Sequence, residues 1–490
     1  MTTRTPDPGP RDPFDPAGDD VQALGRAVTD WIARHYEALR DLPVIPDTTP
    51  QATFDRFCEP MPEHGVAWPE LMRRFEDEVA PLAFNLPSPR YFGLMNPTPL
   101  PVAVFAEALA AALNQNLGAW HHGPSATAIE ATVIRWLCAL AGLPETGFGS
   151  LTSGGSLANT TALKMALAAS VPETTRAGLW DLKARPVLYA SAEAHFSIEK
   201  SANIIGLGGR DGVRKVPVDA NSRMDVEALR KMIALDLASG LNPFCVVGIA
   251  GVTSNGVIDP LDRIAEVARE FGLWYHVDAA YAAGGLMSDA LRPRMKGIEH
   301  ADSITMDPHK WFFMPYPCGA VLTRDPEAGL KTFTSDDVYI PDTGKSIEFR
   351  HHGLAGSRPF SALKLWMAMK LVGRRAYGRM AEQQVALTER FVAELTKDGA
   401  WEAVTPVDTA IAAVRYVGAG QEGAGSGERY HSVQDRIVER VLASRRHWIS
   451  ATTTVGKRAI RVMVISYLTR WEHLEELIGE MKKAAREVAA

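Results

Sequence analysis

Residues 245–252 read CVVGIAGV, residues 260–271 read PLDRIAEVAREF, and residues 273–277 read LWYHV. The first and third runs are short, apolar and β-rich, and the spacing of the middle one predicts a helix. A strand, a helix and a second strand in that order make a βαβ unit, so an α/β fold with a mostly parallel sheet is expected. Further β-rich runs at Val187–Ala190, Ser303–Met306 and Ala320–Thr323 carry the same rhythm over roughly residues 150–325. In such sheets ligands sit at the carboxyl ends of the strands. The residues singled out below fall at those ends.

Outward from this centre, Leu24, Val28, Trp31, Ile32, Tyr36 and Leu39 are spaced as one helix from Val21 to about Leu39, and a second is expected near Trp68–Val79. The run Pro87–Pro101 holds five prolines and must be extended or turned. Helices are expected at Pro101–Leu113 and Ala126–Ala141, the latter with Thr127-x-x-Glu130 as a capping box. Beyond the sheet, helices near Ser361–Leu371 and Met380–Leu395 lead to a small α+β unit. It contains a Gly-rich, flexible loop at Gly418–Gly427.

Bulk properties narrow the function. The 490 residues suffice for two or three domains, and 46% hydrophobic with 22% charged residues is ordinary globular composition. A net charge of −6 gives no reason to expect nucleic acid or an anionic membrane as partner. Cys58, Cys138, Cys245 and Cys318 lie far apart, which fits neither a disulfide framework nor a zinc site and suits a reducing compartment. No metal site is expected. Residues 1–20, rich in Pro and Asp, read as a disordered lead-in and carry no apolar signal-peptide core. No apolar run reaches the roughly 18 residues that span a bilayer. A soluble, cytoplasmic protein is expected.

Four local signals carry chemistry. Ser303-Ile-Thr-Met-Asp-Pro-His309-Lys310-Trp is a β-run ending in a tight turn, where desolvation would favour the neutral, Schiff-base-forming amine of Lys310. Tyr275-His-Val-Asp278-Ala-Ala280-Tyr281 ends a strand on a carboxylate followed by small residues. It suits a protonated pyridine nitrogen with a flat ring against the backbone. Thr152-Ser-Gly-Gly155-Ser156 opens a helix and offers free N–H groups to a phosphate, without the G-K-[ST] of a Walker loop. His195 follows another strand, where an imidazole could stack on a cofactor ring. Singly, each has a bland explanation: a surface lysine, a helix-capping Asp, a Ser N-cap, a structural histidine. Their order, phosphate loop, His195, Thr253, Asp278 and Lys310, each at a strand end of one parallel sheet, argues for one site.

With these motifs in place, the chain from about Val21 onward resembles the group II pyridoxal-5′-phosphate (PLP) decarboxylases, the family of aromatic-L-amino-acid, tyrosine and glutamate decarboxylases. H-V-D-A-A-Y (276–281), D-P-H-K-W (307–311) and A-x-A-H-x-S-x-x-K around His195 carry the likeness. The resemblance implies PLP fold type I, of the aspartate aminotransferase kind, and a homodimer with active sites at the interface. It divides the chain into an N-terminal helical segment at the dimer interface (21–100), a PLP-binding large domain (101–375) and a small α+β domain (376–490). It also implies that Gly155 and Ser156 bind phosphate, His195 stacks on the ring, and Thr253 lies on the ring-oxygen side. Asp278 then pairs with the ring nitrogen, Lys310 carries the cofactor, and Ala280 and His309 complete its bed. Asp307 departs from the asparagine that many relatives carry.

The polar segment Thr332–Gly344 reads as a mobile loop, and Tyr339 is its one large residue suited to proton transfer. By resemblance Tyr339 protonates Cα in the neighbouring subunit's site, where aldehyde-forming relatives resemble a phenylalanine instead. Arg358, in Gly356-Ser-Arg358-Pro, holds the loop or the interface, or is a plain solvated arginine. The resemblance also places Phe92, Leu94, Asn96 and Trp120 around the substrate side chain. Leu94 stands where glutamate decarboxylases carry a glutamine, which argues against an acidic substrate because a buried carboxylate without partners costs several kcal/mol. Gly118, where aromatic-amino-acid decarboxylases tend to be bulky, reads as a roomier pocket or as one closed by other groups. The His pairs at 121–122 and 351–352 read as packing residues. The expected reaction is decarboxylation of an L-amino acid, favoured aromatic (tyrosine, DOPA, tryptophan or phenylalanine), to the amine and carbon dioxide. Alternatives are an aldehyde-forming oxidative deaminase, a decarboxylase of a non-aromatic amino acid, an aminotransferase on the same fold and a non-catalytic binding homologue.

Overall fold

A computed structural model describes residue 14 and residues 16–334, 346–418 and 428–489. Tyr339, most of the lead-in and most of the Gly-rich loop lie outside the described residues.

Seven strands form the central sheet: β1 (Phe148–Thr152), β2 (Pro186–Ser191), β3 (Val213–Val216), β4 (Asn242–Ile249), β5 (Trp274–Asp278), β6 (Ser303–Met306) and β7 (Gly319–Thr323). Their order is β1-β7-β6-β5-β4-β2-β3. β7 runs antiparallel to both its neighbours, and β2 to β6 pair in parallel with each other and with β3. β2 and β6 are buried along their whole length, as strands covered on both faces must be. β4 begins at Asn242, earlier than its apolar run suggests, because Pro243 sits at the strand's start, where a missing N–H is tolerated.

The helix Leu261–Phe271 packs on β4 and β5 through Leu261, Ile264, Ala265, Val267 and Ala268. Each large aliphatic side chain buried there contributes about 1.5–3 kcal/mol. Gly272, at φ 67°, ends the helix in the left-handed conformation that glycine adopts without strain.

The N-terminal part carries α1 (Gly18–Ala38), α2 (Pro50–Phe57), α3 (Trp68–Arg74), α4 (Pro101–Leu113), α5 (Pro124–Ala141) and α6 (Gly155–Ser170). The proposed capping box on α5 is corrected: Gly123 is the N-cap and Pro124 the first residue, so Thr127 lies inside the helix. Proline's fixed φ starts the helix earlier than the hydroxyl would. Glu130 is fully buried and accepts the Leu151 N–H at 3.0 Å. A second sheet, β8 (Trp401–Ala403), β9 (Ile411–Tyr416), β10 (Ser450–Thr454) and β11 (Lys457–Met463), is wholly antiparallel in the order β10-β11-β9-β8. The helices Glu428–Ala443 and Trp471–Ala489 complete this α+β part.

Candidate active site

The C-terminal ends of β1, β2, β4, β5 and β6 converge on one cavity of about 400 Å³. Gly155, Ser156, His195, Thr253, Asp278, Ala280, His309 and Lys310 all line it, joined by Met95, Asn159, Ser197 and Asp307. Residues separated by more than 150 positions meet because parallel strands deliver their ends to the same edge.

α6 begins at Gly155 with no side chain capping its N-terminus, so its first N–H groups and the positive end of its dipole face the cavity. A Cβ at Gly155 would lie 2.8 Å from Asp307 Oδ2 and 3.2 Å from Ala280 Cβ, so any other residue here would have to displace the Asp307 carboxylate. One turn along, Asn159 Nδ2 donates to Asp278 Oδ2 at 2.9 Å and to Ser197 Oγ at 3.0 Å. The other oxygen of Asp278 accepts the Ala280 N–H at 3.1 Å.

His195 is oriented from behind. Its Nδ1 lies 2.8 Å from Ser197 Oγ and accepts the Ser197 N–H at 3.3 Å, which leaves Nε2 to carry the ring proton. Burial holds its pKa below the ordinary imidazole range. His276, two residues before Asp278 and so on the same strand face, is wholly buried between Asn159 Oδ1 (3.1 Å) and Ser303 Oγ (2.8 Å). Burial pushes it down to about 4.

Lys310 Nζ lies 3.0 Å from Asp307 Oδ2, so the amine is ion-paired and not simply surrounded by apolar chain as its sequence context suggested. His309 Nε2 faces the same oxygen at 3.5 Å, while its Nδ1 accepts the Cys318 N–H at 3.1 Å. Its ring stacks on Tyr316 with centroids 4.0 Å apart, and the Tyr316 hydroxyl donates to the Met95 carbonyl at 3.1 Å. Thr253 is held by Arg461, whose guanidinium bridges the Thr253 carbonyl (2.6 Å) and the Gly93 carbonyl (2.8 Å).

The expected side-chain pocket is distributed differently. Phe92 is fully buried and stacks on His447 at 6.2 Å, Asn96 accepts from the Tyr91 hydroxyl at 3.5 Å, and Leu94 and Trp120 are exposed. From residues 91–96, Met95 lines the cavity. Gly118 makes room for backbone, not for substrate: its Cβ would lie 2.3 Å from the Gly356 carbonyl oxygen. Arg358 is no solvated arginine. It is buried, pairs with Glu130 and donates to the Leu151 carbonyl at 3.0 Å. Glu130 and Arg358 thus satisfy both backbone groups of Leu151 on the free edge of β1, just before the phosphate-type turn. His121 and His122 contact each other at 4.2 Å. Among the described residues no group of three His, Cys, Asp or Glu could hold a metal ion.

An amine, a doubly hydrogen-bonded carboxylate and an uncapped helix N-terminus in one cavity fit the aldehyde, ring nitrogen and phosphate of PLP. Asn159, Ser197 and His276 escaped the reading of the sequence. Their signals were present: Asn159 lies one helical turn beyond Gly155, and His276 shares a strand face with Asp278.

Comparison with known proteins places this geometry. An aromatic-L-amino-acid decarboxylase of Bacillus atrophaeus is 30% identical over 477 residues, covering 96% of this chain and 97% of that one. An L-2,4-diaminobutyrate decarboxylase of Rhizobium meliloti (strain 1021) is 40% identical over 278 residues, 56% of this chain and 54% of that one. The crystal structure of Oryza sativa TDC with PLP and tryptamine superposes with a TM-score of 0.91 at 25% identity, covering 98% of this chain and 99% of that one. The profile of the pyridoxal-dependent decarboxylase conserved domain matches residues 50–417. A match over that much of the chain, carried on a fold type I scaffold, means that this protein belongs to the group II PLP-dependent decarboxylases.

Proposed function

We propose that the protein decarboxylates an aromatic L-amino acid to its amine. The observation that carries this reading is the meeting of Lys310, Asp278, His195 and the Gly155–Ser156 turn in one cavity. Lys310 would hold the cofactor covalently, Gly155 and Ser156 its phosphate, and Asp278 its ring nitrogen, with His195 on the ring face and Ala280 and His309 beside it. Thr253 would bound the ring-oxygen side. Bound there, PLP supplies an electron sink for the pair left when the bond between Cα and the carboxylate breaks.

The chain's own residues do the rest. Asn159 and the Ala280 N–H hold both oxygens of Asp278, so the carboxylate keeps its aim without solvent. Ser197 fixes the His195 tautomer. Carbon dioxide leaves, and Cα takes a proton from the Tyr339 hydroxyl. An aromatic substrate is supported by the Bacillus relative's activity and by Met95 and Tyr316 beside the cavity.

A homodimer is part of this reading. α1, α2 and α3 bury none of their residues within one copy, yet Val21, Phe54, Phe57, Trp68 and Leu71 are exposed on or beside them. A second copy would cover such a surface. The cytoplasm suits the chain: its four cysteines are free, and among the described residues no helix is long and apolar enough to cross a membrane. The test is a panel of about twenty L-amino acids and hydroxylated aromatics, read as carbon dioxide and amine. Amine from tyrosine, DOPA, tryptophan or phenylalanine is expected. Amine from a diamino acid alone, or aldehyde with ammonia, would overturn the substrate or the product assignment respectively.

A further inference from the structure

Asp307 is 2% exposed, and its two oxygens are unequal. Oδ2 meets Lys310 Nζ at 3.0 Å and His309 Nε2 at 3.5 Å, whereas Oδ1 is buried with no hydrogen-bond partner. Buried carboxylates normally collect several donors. The side chain lines the cavity and abuts the cradle at Gly155, where an added Cβ would come within 2.8 Å of it. A carboxylate therefore stands against the turn assigned to the phosphate.

The charges facing it can be counted. From its own turn come Lys310 and His309; from other elements His195, Tyr316 and Cys318 act on the site, and Lys364, which acts on His309 and Cys318, is paired with Glu107 and the Pro317 carbonyl. Lys310 is the cation paired with Asp307 in this group. His309 cannot serve as a second one, because its Nδ1 already accepts the Cys318 N–H and burial holds the ring down at about 4. His195 is blocked in the same way, its Nδ1 occupied by Ser197. A doubly charged phosphate entering beside Asp307 would leave two anionic groups to share one cation in a buried space. Like charges so placed do not both stay ionised.

We propose that Asp307 takes up one proton when PLP binds and uses it to donate a hydrogen bond to the phosphate, making cofactor loading a proton-coupled step. The proton comes from solvent; loading also joins Lys310 Nζ to the cofactor aldehyde with loss of water, but pyridoxal does the same, so the O–H bond on Asp307 is the one change that the phosphate adds. The inference rests on the placement of phosphate at Gly155 and Ser156. It makes Asp307 a residue that sets the pH range of cofactor retention. One linked proton changes affinity by about tenfold per pH unit.

The experiment is calorimetric titration of the cofactor-free full chain with PLP in buffers of different ionisation enthalpy, which yields the net proton count. Native protein is expected to take up about one proton more than Asp307→Asn with PLP, and no more than the variant with pyridoxal, which lacks the phosphate. The affinity advantage of Asp307→Asn over native protein should grow about tenfold per pH unit towards alkaline pH. Equal proton counts with PLP would overturn the proposal. So would an equal difference with pyridoxal, which would assign the proton to the Lys310 pairing. Asp307→Ser, which removes the charge with a smaller side chain, repeats the comparison should Asp307→Asn fail to melt cooperatively. Native protein that binds no PLP would sink the cofactor placement itself, a separate result.

Discussion

Asn159 Nδ2 donates to Asp278 Oδ2 at 2.9 Å while the oxygen of the same amide faces His276 Nε2 at 3.1 Å. One side chain on α6 thus fixes a carboxylate and an imidazole on β5, tying the helix that begins at Gly155 to the strand that ends at Asp278. Asn159→Ala leaves both groups buried and short of a partner. A loss of about 2 kcal/mol is expected in stability. Turnover should fall about thirtyfold if Asp278 loses its aim by the same energy. Thermal melting and steady-state rates on PLP-loaded protein check both. Native-like rates would remove the positioning role.

Lys310→Ala removes the amine that Asp307 holds in the cavity. Turnover should vanish, and borohydride reduction should leave no cofactor mass on the protein, whereas native chain gains it at residue 310. A cofactor adduct mapped to another lysine would refute the assignment.

Asp278→Ala should retain some cofactor through the phosphate turn but cost orders of magnitude in rate, because the ring nitrogen loses its anionic partner. Rates within about threefold of native, by the same transition-state arithmetic, would exclude that role.

Tyr339→Phe should keep PLP bound, as seen by visible absorbance, and lose clean amine formation in favour of aldehyde or stalled turnover. Product analysis by mass spectrometry decides. An unchanged amine yield would release Tyr339 from the proton-transfer role.

The buried pair of Arg358 and Glu130 can be broken from one side. Arg358→Ala strands Glu130 and frees the Leu151 carbonyl, which predicts a loss of about 3–5 kcal/mol. Because both partners grip the strand end before the phosphate turn, PLP occupancy should fall with it. Chemical denaturation and cofactor titration test the two parts separately.

His276 gives a pH signature. Burial lowers its pKa from 6.5 to about 4, so the unfolded chain binds more protons between those values. Its contribution to stability is complete above about pH 6.5 and is lost as pH falls towards 4. Asp259, raised by burial to about 7, works oppositely over an overlapping window, so the native profile alone is ambiguous. The difference between profiles is not: His276→Gln should lose less stability than native protein between pH 6.5 and 4. Parallel profiles would contradict the buried, neutral imidazole.

Much of this was legible in one dimension. Strand and helix periods depend on near neighbours, so β6 was read to the residue and the alternation of strands and helices implied the sheet. Short motifs at strand ends, D-A-A-Y and D-P-H-K-W, need only their local turn, and all eight cofactor-bed candidates line one cavity. Contacts across the fold were not legible. Phe92 lies in the core, away from the cavity, because His447, from the far end of the chain, packs on it. Gly118 is small because the Gly356 carbonyl passes beside it, and Arg358 is buried because Glu130 waits on α5. Such facts depend on which distant atoms arrive at the same place. Burial then sets the strength of each charge and hydrogen bond, and no local pattern of residues encodes it.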